Sequence, residues 1–260
     1  MVAHLDPGLE EPPLNAEPSA QLALLDLQSK DSTVAQLTHR RASLPEHARI
    51  AELEVQVKDI DGHRVEVDTL VGDLSRAQAK ADAEVEQVKA RRTRDEERLS
   101  SGLISNPKDL ESLQHELGAL ERRISTLEDE ELEVMEQLED AQARLATVTA
   151  DLDALRAELQ QVEMARDAAL STIDAELALV TADRAALAGQ VADDLLALYE
   201  KVRSQYGGLG AAALRARRCE GCRLELNGAD LREIAARPDD EVVRCPECSR
   251  ILVRTAESGL

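Results

Sequence analysis

From residue 110 to residue 162, apolar side chains recur at alternating spacings of three and four: Leu110, Leu113, Leu117, Leu120, Ile124, Leu127, Glu131, Val134, Leu138, Ala141, Leu145, Val148, Leu152, Leu155, Leu159, Val162. Fifteen of these sixteen positions are apolar, with Glu131 the exception, and the pattern lasts more than seven heptads. An α-helix keeps such a set on one narrow stripe, and another helix must cover it, so the segment predicts a coiled coil. Composition points the same way. With 32% charged residues, 1% aromatic and no Phe or Trp, the chain has the profile of long helices and lacks the material for a large globular core.

A weaker seam lies upstream, through Ile50, Leu53, Val57, Ile60, Val67, Val71, Leu74, Ala77, Ala81, Val85, Val88 and Leu99. Between the two seams stands Ser100-Ser101-Gly102-Leu103-Ile104-Ser105-Asn106-Pro107, a cluster of turn formers ending in a proline suited to the first position of a new helix. So short a connector forces its helices to run antiparallel, which predicts a hairpin. With the tip near residue 103, residue j should face residue 207 minus j, which sets Glu131 within a turn of Arg76, whose charge could neutralise it, and Pro45 opposite Val162. The second seam degrades at Arg166 and Ala169, at the same height as Pro45, and a proline interrupts helix hydrogen bonding. A break at 43–46 is therefore expected.

The resulting organisation is a tail over 1–18, carrying Pro7, Pro12, Pro13 and Pro18 and read as disordered, then a hairpin over 19–204. Its helices span about 19–42, 46–100 and 107–204, with the tip at 101–106 and the first helix packed on the base of the second arm. Tyr206-Gly207-Gly208-Leu209-Gly210 ends the long helix, and 205–214 reads as a hinge that leaves the following module free to vary in orientation.

That module, 215–256, contains four cysteines. Cys219 and Cys222 form one C-x-x-C, Cys245 and Cys248 a second, and 22 residues separate the pairs. Four thiolates on two tight turns close a tetrahedron around one Zn²⁺ and leave no open position for chemistry, so the ion should be structural. Gly221 is expected to supply a positive φ, and Pro246 to stiffen the second turn. Between the turns lie a strand candidate at 224–226, an Asn227-Gly228 turn, a helix over 230–236, an extended stretch at 241–244 and a last strand at 251–253. About 40 residues with few apolar side chains do not fold by burial alone, and metal binding supplies the missing stability. Disulfides are disfavoured because the N-terminus lacks an export signal. A thioredoxin-type pair would need a βαβ context, and a rubredoxin-like iron site would need aromatic walls that the chain lacks. The fold class is mainly α, a long antiparallel coiled-coil hairpin with a small C-terminal Cys₄ zinc ribbon of short strands and one short helix.

Charge constrains the partners. The net charge is −21. Residues 125–200 hold 19 acids against four Arg, so the middle of the stalk repels nucleic acid. Around the tip, Lys89, Arg91, Arg92, Arg94, Arg98, Lys108, Arg122 and Arg123 balance seven acids over 88–124. At the start of the ribbon, Arg215, Arg217 and Arg218 cluster where phosphates or an acidic protein surface could dock, or where they merely solubilise a hinge. With two tyrosines as the whole aromatic complement, a base-stacking platform is excluded.

Several stretches carry a resemblance: Leu24-Leu25-Asp26-Leu27-Gln28 with Asp31, Leu44-Pro45, Ser105-Asn106-Pro107-Lys108-Asp109 followed by Leu113-Gln114-His115-Glu116, and Cys245-Pro246-Glu247-Cys248-Ser249-Arg250-Ile251-Leu252. In these the chain resembles bacterial C4-type zinc-ribbon proteins with an N-terminal coiled-coil hairpin, related to zinc-ribbon proteins associated with flagella and sigma factors. The resemblance implies a nonenzymatic cytoplasmic protein. Some relatives regulate or chaperone an alternative sigma factor, or bind a transcript, in flagellar and secretion control. Richness in Arg and Ala points to a high-GC organism such as an actinobacterium, where that partner need not exist, so the partner is not carried over.

Two functional classes follow. In the first, the chain is a zinc-binding adaptor or regulator whose tip (Asn106, Lys108, Arg91, Arg92, Arg94) and ribbon (Arg215, Arg217, Arg218) grip protein, RNA or DNA, transcription machinery among the candidates. Its alternative form is a protein scaffold or chaperone without nucleic-acid binding. In the second, the chain is an enzyme, which the scattered histidines at 4, 39, 47, 63 and 115 and the filled zinc site oppose. A role in the RNA polymerase secondary channel would want acidic residues at the tip, which reads Gly102-Leu103-Ile104-Ser105-Asn106. Grip on structured RNA, as by the arm of seryl-tRNA synthetase, has no catalytic domain beside it here. No membrane and no small-molecule substrate are expected, and the chain should be a monomer or weak dimer.

Overall fold

The computed structural model describes residues 14–260, in two compact bodies. The first body, 46–165, is an antiparallel helical hairpin. It is built from α2 (Pro45–Ser100) and the first part of α3 (Pro107–Ala188). The seam read from the sequence is the buried face: Ile50, Leu53, Val67 and Val85 on one arm, Leu113, Leu120, Ile124, Leu127, Leu138, Ala141 and Leu152 on the other. Asp95 occupies the gap in the upstream seam and is buried, held between Arg98 at 3.5 Å and Arg91 at 4.0 Å on its own helix.

Ion pairs across the arms fix the register. Arg49 meets Glu158 at 2.6 Å, Lys89 meets Glu128 at 2.8 Å, and Arg91 meets Glu116. The numbers 49 and 158, like 91 and 116, sum to 207, the register inferred from the tip, whereas 89 and 128, like 61 and 156, sum to 217, so the long side chains bridge partners over a range that begins at that register. The proposed neutralisation of Glu131 by Arg76 does not form. Arg76 reaches only three residues along its own helix to Asp73, and it is the Lys89 ammonium that feels Glu131. A guanidinium with a carboxylate at i−3 needs no cross-arm partner.

The tip is closed by local chemistry. Gly102 takes φ +67° after the last turn of α2, and the Asn106 side chain accepts the Lys108 N–H at 3.1 Å ahead of Pro107, the first residue of α3.

The second body comprises 14–45 and 166–260 of the described residues. It contains α1 (Pro18–Ala42), the end of α3, α4 (Asp193–Gln205), and a small domain with β1 (Ala211–Arg215), β2 (Arg218–Cys219), α5 (Gly228–Ala236) and β3 (Ile251–Val253). Helix α1 lies against the end of α3, tied by Arg41–Asp174 at 2.9 Å and Lys30–Asp183 at 2.8 Å. The sheet order is β2-β1-β3, with β1 antiparallel to β2 and parallel to β3.

Three expectations fail here, each for a physical reason. The long helix does not run to 204: it stops at Ala188, and α4 begins at Asp193. Gly189 has the poorest helix propensity short of proline, and the break lets Val191, Leu195, Tyr199 and Val202 turn into one buried cluster.

Residues 205–214 are not a hinge. Gly207 and Gly208, at φ +67° and +91°, do end α4, but Ala211–Arg215 is the central strand of the sheet. Ala211, Val242, Ile251 and Val253 share a core with Leu24, Leu27, Leu195, Tyr199 and Val202, so the ribbon is seated on α1 and α4 and is not free to vary in orientation against them. Gly210 permits the contact: a Cβ there would lie 2.8 Å from two Tyr199 ring carbons.

The tail expectation falls mostly on residues 1–13, outside the described residues, but its last part is ordered. Ala16 N–H donates to Asp240 carbonyl at 2.6 Å, Val242 N–H to Leu14 carbonyl at 2.9 Å, and the helix already starts at Pro18.

A buried polar cluster anchors this body. The Asp31 carboxylate on α1 accepts from Tyr199 Oη at 2.7 Å, Arg203 Nη1 at 2.6 Å and Arg184 Nε at 3.1 Å. One turn earlier, Gln28 Oε1 accepts the Gly210 N–H at 2.7 Å and its amide donates to Gly208 carbonyl at 3.0 Å. The motif at 24–31 thus supplies two core leucines and two polar anchors from one helix face.

Candidate metal centre

Both cysteine pairs sit on the same backbone device. In the first, Arg223 N–H donates to Cys219 carbonyl at 2.7 Å and Cys219 N–H to Leu224 carbonyl at 3.0 Å. In the second, Ser249 N–H donates to Cys245 carbonyl at 2.8 Å and Cys245 N–H to Arg250 carbonyl at 2.8 Å. The left-handed residue is the one after the second cysteine of each pair, Arg223 at φ +64° and Ser249 at φ +57°. That corrects the reading of Gly221, which is needed for space and not for φ. A Cβ at 221 would stand 3.0 Å from Ala212 Cβ and 3.1 Å from Arg250 Cδ.

The two knuckles bring the Sγ atoms of Cys219, Cys222, Cys245 and Cys248 within 4.8 Å of one another, and Cys219 and Cys248 sulfurs are 3.9 Å apart. A zinc tetrathiolate with Zn–S of about 2.3 Å has tetrahedral edges of about 3.8 Å. A disulfide needs sulfurs about 2.05 Å apart, and all four cysteines are free. The donor set is all sulfur, closed and four-coordinate, and it holds one structural Zn²⁺.

Ala212, Leu214, Leu226, Ile234, Val243 and Leu252 form the apolar shell around it. Burial pushes the Cys219 and Cys245 thiols above their ordinary range. Burial acts the same way on Cys248, but the backbone N–H and side chain of Arg250, together with contacts to Cys245 and Cys222, outweigh it and hold that thiol below the ordinary range. Metal binding must displace these protons, and that makes occupancy acid-sensitive.

Around the centre, the strand expected at 224–226 is reduced to a bridge from Glu225 to Arg218, and 241–244 to bridges at Glu241 and Arg244. Asn227, read as a turn, is the N-cap of α5, accepting from the Ala229 and Asp230 amides at 2.9 and 3.0 Å.

The residues proposed for partner contact divide into two groups. On the ribbon, Arg215 pairs with Glu257 at 2.6 Å, Arg217 Nε donates to Gly259 carbonyl at 3.3 Å, and Arg218 Nη2 donates to Arg223 carbonyl at 3.0 Å. On the hairpin, Arg91 is paired with Glu116, Arg92 pairs with Glu96 at 3.0 Å, and Asn106 caps α3. Arg94 and Lys108 are exposed and belong to no ion pair given by the described residues.

Sequence reasoning missed Arg254, whose guanidinium donates to the carbonyls of Ile234, Arg237, Pro238, Asp239 and Glu241 and so closes the C-terminal end of α5. It also missed a shallow groove of about 460 Å³ at the hairpin tip. Leu103, Ile104, Asn106, Asp109, Leu113 and Arg98 are among the residues that line it.

Residues 27–207 match the CT398-like coiled coil hairpin domain, and residues 218–252 the C4-type zinc ribbon domain. The chain belongs to the CT398-like coiled-coil hairpin family. A Mycobacterium tuberculosis H37Rv protein is 35% identical over 241 residues, 93% of this chain and 98% of the relative. A Mycobacterium leprae protein is 28% identical over 221 residues, 85% of this chain and 94% of the relative. A solved Mycobacterium smegmatis structure superposes with a TM-score of 0.79 at 36% identity, covering 93% of this chain and all of that one. The structure of CT398 from Chlamydia trachomatis has the same fold, with a TM-score of 0.62 at 17% identity over 91% of this chain and 98% of that one. Among the described residues, no helix is long and apolar enough to cross a membrane.

Proposed function

We propose that this chain is a non-catalytic zinc-binding adaptor that engages a protein partner through the hairpin tip. The observation that carries the reading is Leu103. It stands 85% exposed at the turn, beside a groove whose other apolar lining residues are Ile104 and Leu113. A leucine presented this openly at the turn offers an apolar anchor to a partner's pocket. The zinc supports the absence of catalysis, because four thiolates leave it no position for water or substrate.

A protein partner is favoured over nucleic acid by what the arginines do. Arg215, Arg217 and Arg218 spend donors on the ribbon itself, and Arg91 and Arg92 on carboxylates of the hairpin. Three of the seven candidate cations, Arg91, Arg92 and Arg215, are thereby neutralised by carboxylates, and a chain of net charge −21 repels phosphates over most of its surface. The test is affinity capture from the organism that makes the protein, with and without nuclease, using the natural chain, Leu103→Glu, and Arg217→Glu with Arg218→Glu. The reading expects a stoichiometric protein that survives nuclease, survives the arginine changes and is lost with Leu103→Glu. Recovery that depends on nucleic acid, or that ignores Leu103→Glu, overturns it.

A further inference from the structure

Arg250 touches three parts of the second body that are far apart in sequence. Its backbone carbonyl closes the second knuckle by accepting the Cys245 N–H at 2.8 Å. Its side chain then crosses beside the first knuckle, where Cδ lies 3.1 Å from the position a Cβ would take at Gly221. The guanidinium ends on the α4–β1 turn, donating from Nε to Leu209 carbonyl at 3.1 Å and from Nη2 to Tyr206 carbonyl at 3.1 Å, with its carbon 5.5 Å over the Tyr206 ring. The next residue continues the link, Ile251 N–H donating to Gly210 carbonyl at 2.9 Å. No carboxylate pairs with Arg250 among the described residues.

We propose that Arg250 is a positioning residue that couples zinc occupancy to the seating of the ribbon on α4. The metal holds the two knuckles together. Because Arg250 is part of one and packs against the other, that union aims its guanidinium at the Tyr206–Leu209 turn. Gly207 and Gly208 bring no side chains to this turn; Gln28 holds the Gly208 carbonyl and the Gly210 N–H, and the two charge-assisted bonds with the stacked Tyr206 ring fix the Tyr206 and Leu209 carbonyls beside them. When the knuckles part, Arg250 withdraws and the turn loosens. In the other direction, the anchored guanidinium preorganises the second knuckle for metal, as outer-shell groups do when they orient ligands. The inference rests on the zinc centre and is independent of the partner proposed above.

Hydrogen–deuterium exchange and chelator competition on the full chain test it. Arg250→Gln, zinc-loaded, should retain zinc about 10–100-fold less tightly. Amides 207–211 should exchange at least about tenfold faster, one decade being the loss of roughly 1.4 kcal/mol, while α5 stays protected. Arg250→Lys, which keeps the charge and one donor direction, should restore part of both. Stripping zinc from the natural chain should loosen 207–211 in the same way. If Arg250→Gln does not fold, Tyr206→Leu, which leaves both carbonyls, should shift both readouts in the same direction by less. Zinc retention within threefold of the natural chain in a folded Arg250→Gln protein overturns the proposal. So does unchanged exchange at 207–211 in zinc-loaded Arg250→Gln or in Tyr206→Leu.

Discussion

Replacing Asp31 with Ala should release α1 from the ribbon's helical base. Asp31 is 6% exposed and its carboxylate accepts from three side chains, Tyr199 at 2.7 Å, Arg203 at 2.6 Å and Arg184 at 3.1 Å. The buried phenol bond to a charged acceptor contributes about 1.5–2 kcal/mol. The two guanidiniums are 22% and 33% exposed and both keep Glu200, so they lose about 0.5–1 kcal/mol each. The total is about 3 kcal/mol, at the low end of what breaking a buried ion pair costs. At 1.4 kcal/mol per decade this is roughly a hundredfold increase in local opening. Hydrogen exchange reads it directly. Amides of residues 21–31 in α1 should exchange about 100-fold faster in Asp31→Ala, with those of the hairpin at 60–90 unchanged. Asp31→Asn, which can still accept the phenol proton, should cost about half as much. If α1 exchange in Asp31→Ala stays within threefold of the natural chain, the cluster does not anchor the helix and the reasoning is wrong.

The other predictions concern the same body. Burial, then the bond to Asp31, pushes the Tyr199 phenol above its ordinary range. Its folded value therefore exceeds the unfolded value of about 10, so its contribution to stability is complete below about pH 10 and is lost as pH rises above that. Tyrosinate absorbance of Tyr206→Phe should stay flat past pH 10 and appear together with loss of the helical circular dichroism signal; early, reversible ionisation without unfolding would contradict it. Gly210→Ala places a methyl 2.8 Å from Tyr199 Cδ2, Cε2 and carbonyl oxygen and should destabilise by about 1–3 kcal/mol in urea unfolding. Gly62→Ala, with open space around its Cβ, should be neutral or stabilising in the same assay.

What the sequence revealed follows from how local each signal is. The coiled-coil seam and the hairpin register were legible because every residue in a heptad repeat reports the same face, and because the tip offers Gly102, Asn106 and Pro107 at fixed offsets. The zinc ligands were legible for the same reason, a C-x-x-C being complete within four residues. The central strand was hidden. Ala211-Ala212-Ala213 carries no β-branched signal and follows three glycines, and what makes it a strand is β3, some forty residues later, pairing with it in parallel. The end of α3 at Ala188 is likewise set by a core that α1 and the ribbon complete, with Gly189 its one local trace. The knuckle conformations fall on Arg223 and Ser249, residues that do not announce a positive φ. Nor does an arginine-rich stretch disclose that Arg215, Arg217 and Arg218 are already engaged by residues near 223 and 257–259.

The most direct check on the account is elemental analysis of the freshly isolated chain, paired with a thiol count before and after chelation. The four-sulfur cluster predicts one zinc per chain, thiols that resist reagent while it is bound, and four reactive thiols once it is removed. A chain that carries no zinc, or whose cysteines prove to be joined as disulfides, would contradict it.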